Sequence, residues 1–293
     1  MQTPAPFEYS RASSVESALA LLERYGPDTR LIAGGHSLLP MMKLRLARPE
    51  RLVDINDIPD LDHIRLDGGE IAIGAMARHA DLLASPLLGR NLPIFADAER
   101  VIADPIVRNR GTIGGSLCQG DPAEDLAAVV CALGAELVVR SSGGSRRVPA
   151  REFYQGPFET VLGPSEMLTE VRIPLRPGQG SAYEKVERRT GDWAVAAVGC
   201  CVTLDGDRIS QVGIGLAAVN ARQFAAPEAE ARLMGRPPSS DDLAAAAQLA
   251  AEHSRPQADQ RGPQEYKRYL VAELTKRSLV RAVDRARAGG VGA

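Results

Sequence analysis

Two short glycine pairs constrain this chain more than any other feature. They are "AGGHS" (Ala33, Gly34, Gly35, His36, Ser37) and "TIGGS" (Thr112, Ile113, Gly114, Gly115, Ser116). Glycine loses more conformational freedom on folding than any other residue, so a pair of them implies a sharp turn or a close approach. A tight turn can also present consecutive bare N–H groups, which form a concavity that attracts anions, and a helix start just beyond strengthens it. Each pair has a hydroxyl side chain close behind it, as Ser37 or Ser116. One such turn can serve shape alone. Two, far apart in the chain, can grip opposite parts of one long anionic ligand.

The apolar pattern around them alternates between helical and strand periods, which predicts an α+β chain. "SSVESALALLERYG" over 13–26 reads as a helix started by Ser13 or Ser14 and ended by Gly26. "TRLIAGG", "RLVDI" and "EIAIGA" read as strands, "RHADLLAS" over 78–85 and "LPIFADAERVIAD" over 92–104 as helices. "PAEDLAAVVCALG" over 122–134 predicts a helix with Pro122 in its first turn and Gly134 at its end. "AELVVRSSGGSRRVPA" reads as a hairpin, and a composition shift over 173–182 marks a domain boundary. Beyond it, two strands joined at Asp205-Gly206 precede a helix starting near Ser240 and a long amphipathic terminal helix over 264–288, whose charged face reads as solvated.

Composition removes several function classes. Thirty-five Lys and Arg stand against 37 Asp and Glu, a formal net charge of −2. Such a balance gives no reason to expect nucleic acid or an anionic membrane as partner. No apolar run approaches the roughly 20 residues of a membrane span, and "MQTPAPFEYSRASS" has neither the basic start nor the apolar stretch of a secretory signal. The expectation is a cytoplasmic protein, with association to a membrane-bound partner left open. The four cysteines, Cys118, Cys131, Cys200 and Cys201, form no C-x-x-C pair, so no zinc or ferredoxin-type ligand set is visible. Buried free thiols are expected, Cys118 standing apart because it lies in the glycine-rich stretch. His63, His79 and His253 show no metal-ligand spacing.

A dinucleotide has the length and the two phosphates that a pair of anion-binding turns requires. "GIGLAA" over 213–218 matches the G-x-G-x-x-A fingerprint, but it lies in the second strand of the hairpin with no βαβ unit around it. Walker-type and HExxH patterns are absent from the sequence. A dinucleotide here needs a different fold.

"LIAGGHSLLPMMKLRLARPERLVDI" and "IADPIVRNRGTIGGSLCQGDPAEDLAA" resemble the flavin subunits of molybdenum hydroxylases of the xanthine dehydrogenase family, and within it the medium subunits of the carbon monoxide dehydrogenase group. The likeness continues through "FYQGPFET", "YEKVERRTGDWAVAA" and "DQRGPQEYKR". It implies an α+β, vanillyl-alcohol-oxidase (PCMH-type) FAD-binding fold over 1–176, in subdomains of about 1–57 and 58–176, with a smaller C-terminal domain over 177–293. It also implies noncovalent FAD. Ala33, Gly34, Gly35, His36 and Ser37 would take the pyrophosphate. Thr112, Ile113, Gly114, Gly115, Ser116 and Asp121 would lie along the ribityl and pyrophosphate region. Lys185 would sit near the flavin ring, the alternative being a surface salt bridge. Trp193 stands where close relatives carry Tyr, beside one flavin face, and a core tryptophan is the other reading. Ser116 stands where the family usually has Asn, one amide fewer. His36 reads as phosphate-facing or solvated, in contrast to oxidases of this fold group that attach FAD through such a histidine.

The implied role is electron transfer. A large molybdopterin subunit oxidises the substrate, a small subunit with 2Fe–2S clusters carries the electrons, and this chain passes them to an external acceptor such as a quinone. The implied assembly is a dimer of heterotrimers, cytoplasmic or peripheral to the membrane's inner face. No catalytic residue is expected on this chain beyond the flavin, and no metal. Carbon monoxide is the expected substrate, with a purine, nicotine-like heterocycle or aldehyde as the alternative. Two rival classes stay open: a self-sufficient flavin oxidase, and a scaffold that keeps the glycine turns for shape.

Overall fold

The computed structural model describes residues 3–219 and 224–289; residues 1–2, 220–223 and 290–293, the last of these closing the C-terminal domain expected over 177–293, lie outside the described residues. The chain opens with β1 (Glu8–Arg11), α1 (Val15–Tyr25), β2 (Thr29–Ile32), α2 (Leu38–Lys43) and β3 (Arg51–Asp54). Its three strands run parallel in the order β1-β3-β2. Parallel neighbours need crossovers, and α1 supplies one between β1 and β2. α1 starts where the sequence says: the Ser14 hydroxyl accepts the Ser17 N–H and the Ser17 hydroxyl accepts the Ser14 N–H, and Gly26 ends it at φ 74°. Its apolar stripe of Val15, Ala18, Leu19 and Leu22 packs with Val53 and Ile55, and with Met76 and Met167 of the next unit.

The second unit holds β4 (Ile64–Asp67), β5 (Glu70–Gly74), α3 (His79–Ala84), α4 (Pro86–Asn91), α5 (Ile94–Glu99), α6 (Pro105–Arg108), α7 (Ile113–Gln119) and α8 (Asp125–Leu133). β6 (Glu136–Ser141), β7 (Gly144–Pro149), α9 (Ala150–Phe153), β8 (Tyr154–Gly156), β9 (Glu159–Thr160) and β10 (Met167–Pro174) complete it. Five strands form an antiparallel sheet ordered β4-β5-β10-β6-β7. The helices expected over 92–104 and 122–134 are both shorter in the structure. The first ends at Glu99, and Ala103 takes a left-handed φ of 49°. The second starts only at Asp125, because Asp121 folds the preceding residues into an Asx turn: its Oδ1 accepts the Ala123 N–H and its carbonyl the Glu124 N–H. The Pro122 carbonyl, which a first helical turn would direct along the axis, accepts the Ala218 N–H instead.

β11 (Gln179–Glu187), β12 (Ala194–Asp205) and β13 (Arg208–Ala217) form a three-stranded antiparallel sheet, followed by α10 (Pro227–Leu233), α11 (Ser240–His253) and α12 (Gln264–Arg287). Both faces are apolar. Cys201, Ala197 and Tyr183 join the core around α8, whereas Cys200, Val198 and Ala182 join the core under the three helices. The adjacent cysteines thus point to opposite faces, as strand pleating requires. The glycines of "GIGLAA" have a packing cause: a Cβ on Gly213 would stand 2.0 Å from the Ala132 carbonyl oxygen, and one on Gly215 1.9 Å from that of Ala128. α8 lies with its backbone directly on the sheet there, so the fingerprint match is a helix seat.

The charged face of α12 is partly committed. Arg285 donates to Asp97 Oδ2 at 2.6 Å and to the Ser181 carbonyl at 2.6 Å, and Arg281 reaches the same carboxylate at 2.5 Å. These bonds tie the terminal helix to α5, so part of the face expected to be solvated has a packing role. Among the described residues, no helix is long and apolar enough to cross a membrane.

Candidate functional site

β2 ends at Ile32, in register with Asp54 of β3, and the chain then turns through Ala33–Gly35, with Gly35 at φ 78°. The turn is seated on the segment that leads into the second glycine pair. A Cβ on Gly34 would lie 2.3 Å from the Arg110 carbonyl oxygen and 2.7 Å from the Gly111 Cα. A Cβ on Gly115 would lie 4.0 Å from the Ala33 Cβ. The two motifs therefore meet in space, and only glycine fits at position 34.

A polar clamp holds the junction. Asn56 Nδ2 donates to the Ala33 carbonyl at 2.9 Å and to Asp54 Oδ1 at 2.7 Å. The Arg78 guanidinium donates to Asn56 Oδ1 at 2.7 Å and to the Arg110 carbonyl. Burial, and then the nearby Arg110 charge, lower the Arg78 pKa, so the cation is held there by its hydrogen bonds. Sequence reading missed Asn56 and Arg78. The available signal is their position, just past the ends of β3 and β5, where side chains can reach the ends of neighbouring turns.

The two pairs differ in what their amides do. Among the described residues, the N–H groups of Ala33 through Leu38 donate to no protein acceptor, and Ser37 makes no capping bond. This run keeps free the amides that an anion-binding turn needs. The second pair is instead the first turn of α7. Thr112 is its N-cap, its Oγ1 accepting the Gly115 N–H at 3.1 Å and its carbonyl the Ser116 N–H at 3.0 Å. Ile113 N–H donates to Ala77 and Gly114 N–H to Ala75, and a Cβ on Gly114 would stand 2.6 Å from that Ala75 oxygen. The expectation of bare amides is thus corrected at Ile113–Ser116: capping and strand contacts engage them, and the motif offers a smooth surface at exposed Gly115.

Behind α7 lies a group of buried carboxyls. Ser116 Oγ donates to Glu124 Oε2 at 2.5 Å, and burial pushes the Glu124 carboxyl up to about 8 in spite of that bond. Asp125 accepts the Tyr183 hydroxyl at 2.6 Å and pairs with Lys185 Nζ at 2.9 Å. The Lys185 side chain is only 1% exposed and also donates to the Val101 carbonyl at 3.0 Å. The burial of this pair rules out the surface salt bridge that is the alternative expectation for Lys185. A second buried pair, His79 Nδ1 with Glu99 Oε2 at 3.0 Å, supports the Gly111 backbone, whose carbonyl accepts the His79 N–H.

The remaining candidates are placed more simply. Trp193 is 42% exposed, which removes the core reading. Its loop leans on the segment before α6, since a Cβ on Gly191 would stand 2.6 Å from the Ala103 carbonyl oxygen. His36 is exposed, and Asp121 is half-buried in its Asx turn. All four thiols, Cys118 included, are pushed up to about 12 by burial, so none is a nucleophile at neutral pH. Among the described residues, no three His, Cys, Asp or Glu side chains group to hold a metal ion. Chemically, the junction offers a run of free amides that can donate hydrogen bonds to an anion.

Comparison with known proteins bears on what that anion is. Residues 5–176 match the family described as "FAD binding domain in molybdopterin dehydrogenase" and residues 181–282 the "CO dehydrogenase flavoprotein C-terminal domain". The carbon monoxide dehydrogenase medium chain of Hydrogenophaga pseudoflava is 43% identical over 279 residues, spanning 94% of this chain and 96% of that one. The 6-hydroxypseudooxynicotine dehydrogenase complex subunit alpha of Paenarthrobacter nicotinovorans is 40% identical, spanning 97% of each. The solved carbon monoxide dehydrogenase of Hydrogenophaga pseudoflava superposes with a TM-score of 0.93 at 44% identity, over 97% of this chain and 99% of that one. An FAD-binding region over most of the chain, a flavoprotein C-terminal domain and near full-length likeness place this chain in the FAD-binding subunit family of the molybdopterin dehydrogenases.

Proposed function

We propose that this chain is the flavin subunit of a molybdenum hydroxylase of the carbon monoxide dehydrogenase type, relaying electrons from a 2Fe–2S partner to an external acceptor. The observation that carries this reading is the junction of the two glycine motifs, with the free amides of Ala33–Leu38 beside it. The residues fit FAD: position 34 has no room for a Cβ, the amides are unengaged, and Gly115 leaves the facing surface bare. When bound, FAD supplies a redox centre that exchanges electrons singly with an iron–sulfur centre and in pairs with an acceptor such as a quinone.

The protein's own contribution is binding and electrostatics. Ala33, Gly34, Gly35, His36 and Ser37 hold the pyrophosphate through backbone N–H groups. Thr112, Ile113, Gly114, Gly115, Ser116 and Asp121 shape the wall along the ribityl stretch, Thr112 by capping α7 and Asp121 by fixing the turn before α8. Exposed Trp193 shields the ring, and His36 stays noncovalent. Lys185 lies near the flavin ring, held in place by its pair with Asp125 between α8 and β11. The cofactor lies between subdomains of about 1–57 and 58–176, with 177–293 closing over it. The partners are a large molybdopterin subunit and a small 2Fe–2S subunit, paired as a dimer of heterotrimers, in the cytoplasm or at the membrane's inner face.

Carbon monoxide is the proposed substrate. The chain is 43% identical to a carbon monoxide dehydrogenase chain and 40% identical to a 6-hydroxypseudooxynicotine dehydrogenase chain, a near tie that fits selection of substrate on the large subunit. The test is anaerobic reduction of the purified complex. Carbon monoxide is expected to bleach the flavin absorbance of the complex and leave the isolated chain yellow. Bleaching of the isolated chain by a small organic substrate would make it a self-sufficient oxidase; no bleaching of an intact complex by carbon monoxide would move the substrate to another class.

A further inference from the structure

A hollow of about 290 Å³ that shares no lining residue with the glycine junction lies between the β11–β12 loop and the turn before α12, lined by Arg188, Arg189, Asp192, Gln260 and Arg261. Three guanidinium groups face a single carboxylate there. Arg188 Nη1 donates to the Gln260 carbonyl at 3.0 Å, and Arg261 Nη2 is 3.7 Å from Asp192 Oδ1. Among the described residues, Arg189 has no hydrogen-bond or ion-pair partner through its side chain. Grouping like charges around a concavity is unfavourable unless an anion joins them, and guanidinium forks match the oxygens of phosphate and carboxylate.

Both walls are held before any ligand arrives. On one side the Gly191 N–H donates to Glu187 Oε1 at 3.0 Å and the Asp192 N–H to the Arg189 carbonyl at 3.0 Å. On the other, Asp259 and Gly262 exchange backbone bonds of 3.2 and 3.1 Å, and buried Lys267 pins the turn by pairing with Asp259 Oδ2 at 2.8 Å and donating to the Gln257 carbonyl at 2.8 Å. Rigid walls lower the entropy lost on binding. The rim runs directly into Trp193, the only tryptophan in the chain.

From this geometry we infer a second anion site, beside the Trp193 loop and distinct from the glycine junction, that takes a phosphate-type oxyanion, free or as the terminal group of a small metabolite. Its occupancy alters the surroundings of Trp193. The test is a titration of the purified full chain with inorganic phosphate, and separately with pyrophosphate, at constant ionic strength against chloride, read by Trp193 fluorescence and by calorimetry. Saturable binding of either is expected, and its preference between them tells a free ion from a terminal group. Arg189→Gln, and Arg188→Gln with Arg261→Gln, are each expected to weaken it by about tenfold or more. Thermal midpoint and flavin content check that these variants stay folded. Responses matching chloride, or equal affinity in wild type and folded variants, would overturn the site. A fully flavinated chain that binds no oxyanion overturns this inference and leaves the flavin reading intact.

Discussion

Single residues decide the glycine junction and its supports, and the signs of their effects differ. Gly115 is exposed, and the only atoms near its missing Cβ are Thr112 Oγ1 at 2.8 Å and Ala33 Cβ at 4.0 Å. Gly115→Val is therefore expected to abolish FAD binding while costing only about 1 kcal/mol of stability through the disturbed Thr112 cap; flavin absorbance and thermal unfolding of the same preparation check both halves. Lys185 behaves oppositely. Lys185→Met leaves Asp125 charged and buried, a loss of about 3–5 kcal/mol, and adding Asp125→Leu should restore much of it. Denaturant unfolding of the single and double variants measures this. Glu124 makes stability depend on pH. Its folded pKa, about 8, is raised by burial above the ordinary carboxyl value. Its contribution is complete below that ordinary value and is lost as pH climbs through about 8. Melting midpoints should therefore fall over this window, and Glu124→Gln should flatten the fall.

At the level of elements, the sequence was legible wherever the signal is local. α1 has its capping serines and Gly26, the β12–β13 hairpin has Gly206 at φ 59°, and α12 has its sustained periodicity. The start of α8 was not, because the decision is tertiary: the Ala218 amide of the C-terminal domain takes the Pro122 carbonyl. The second glycine pair was legible as a close approach but not as a capped helix start, since its amide acceptors, Ala75 and Ala77, follow a strand elsewhere in the chain. The clamp of Asn56 and Arg78 carries no motif at all. In "GIGLAA" a correct spacing has an unrelated cause, the seating of α8 on β13. Gly215→Val must push that helix away, and overpacking of about 1–3 kcal/mol or more should lower the melting temperature while folded protein keeps its FAD; calorimetry with flavin assay separates the two.

The whole molecule joins its three larger sheets through two shared regions. α8 is buried on every side, between the five-stranded sheet and the C-terminal sheet, and Asp97 of α5 gathers Arg281 and Arg285 from α12. The C-terminal domain is thereby fixed against the unit that carries "TIGGS", while Gly34 seats the first unit on the same stretch of chain. The glycine junction thus sits where the first two units meet, so neither motif specifies a ligand in isolation. The direct test is the flavin content of the purified native protein after denaturation. One FAD per chain, fully released into solution with no flavin left on the polypeptide, is the expected result. A colourless protein that releases no adenine dinucleotide would contradict the assignment of the two glycine motifs to a cofactor.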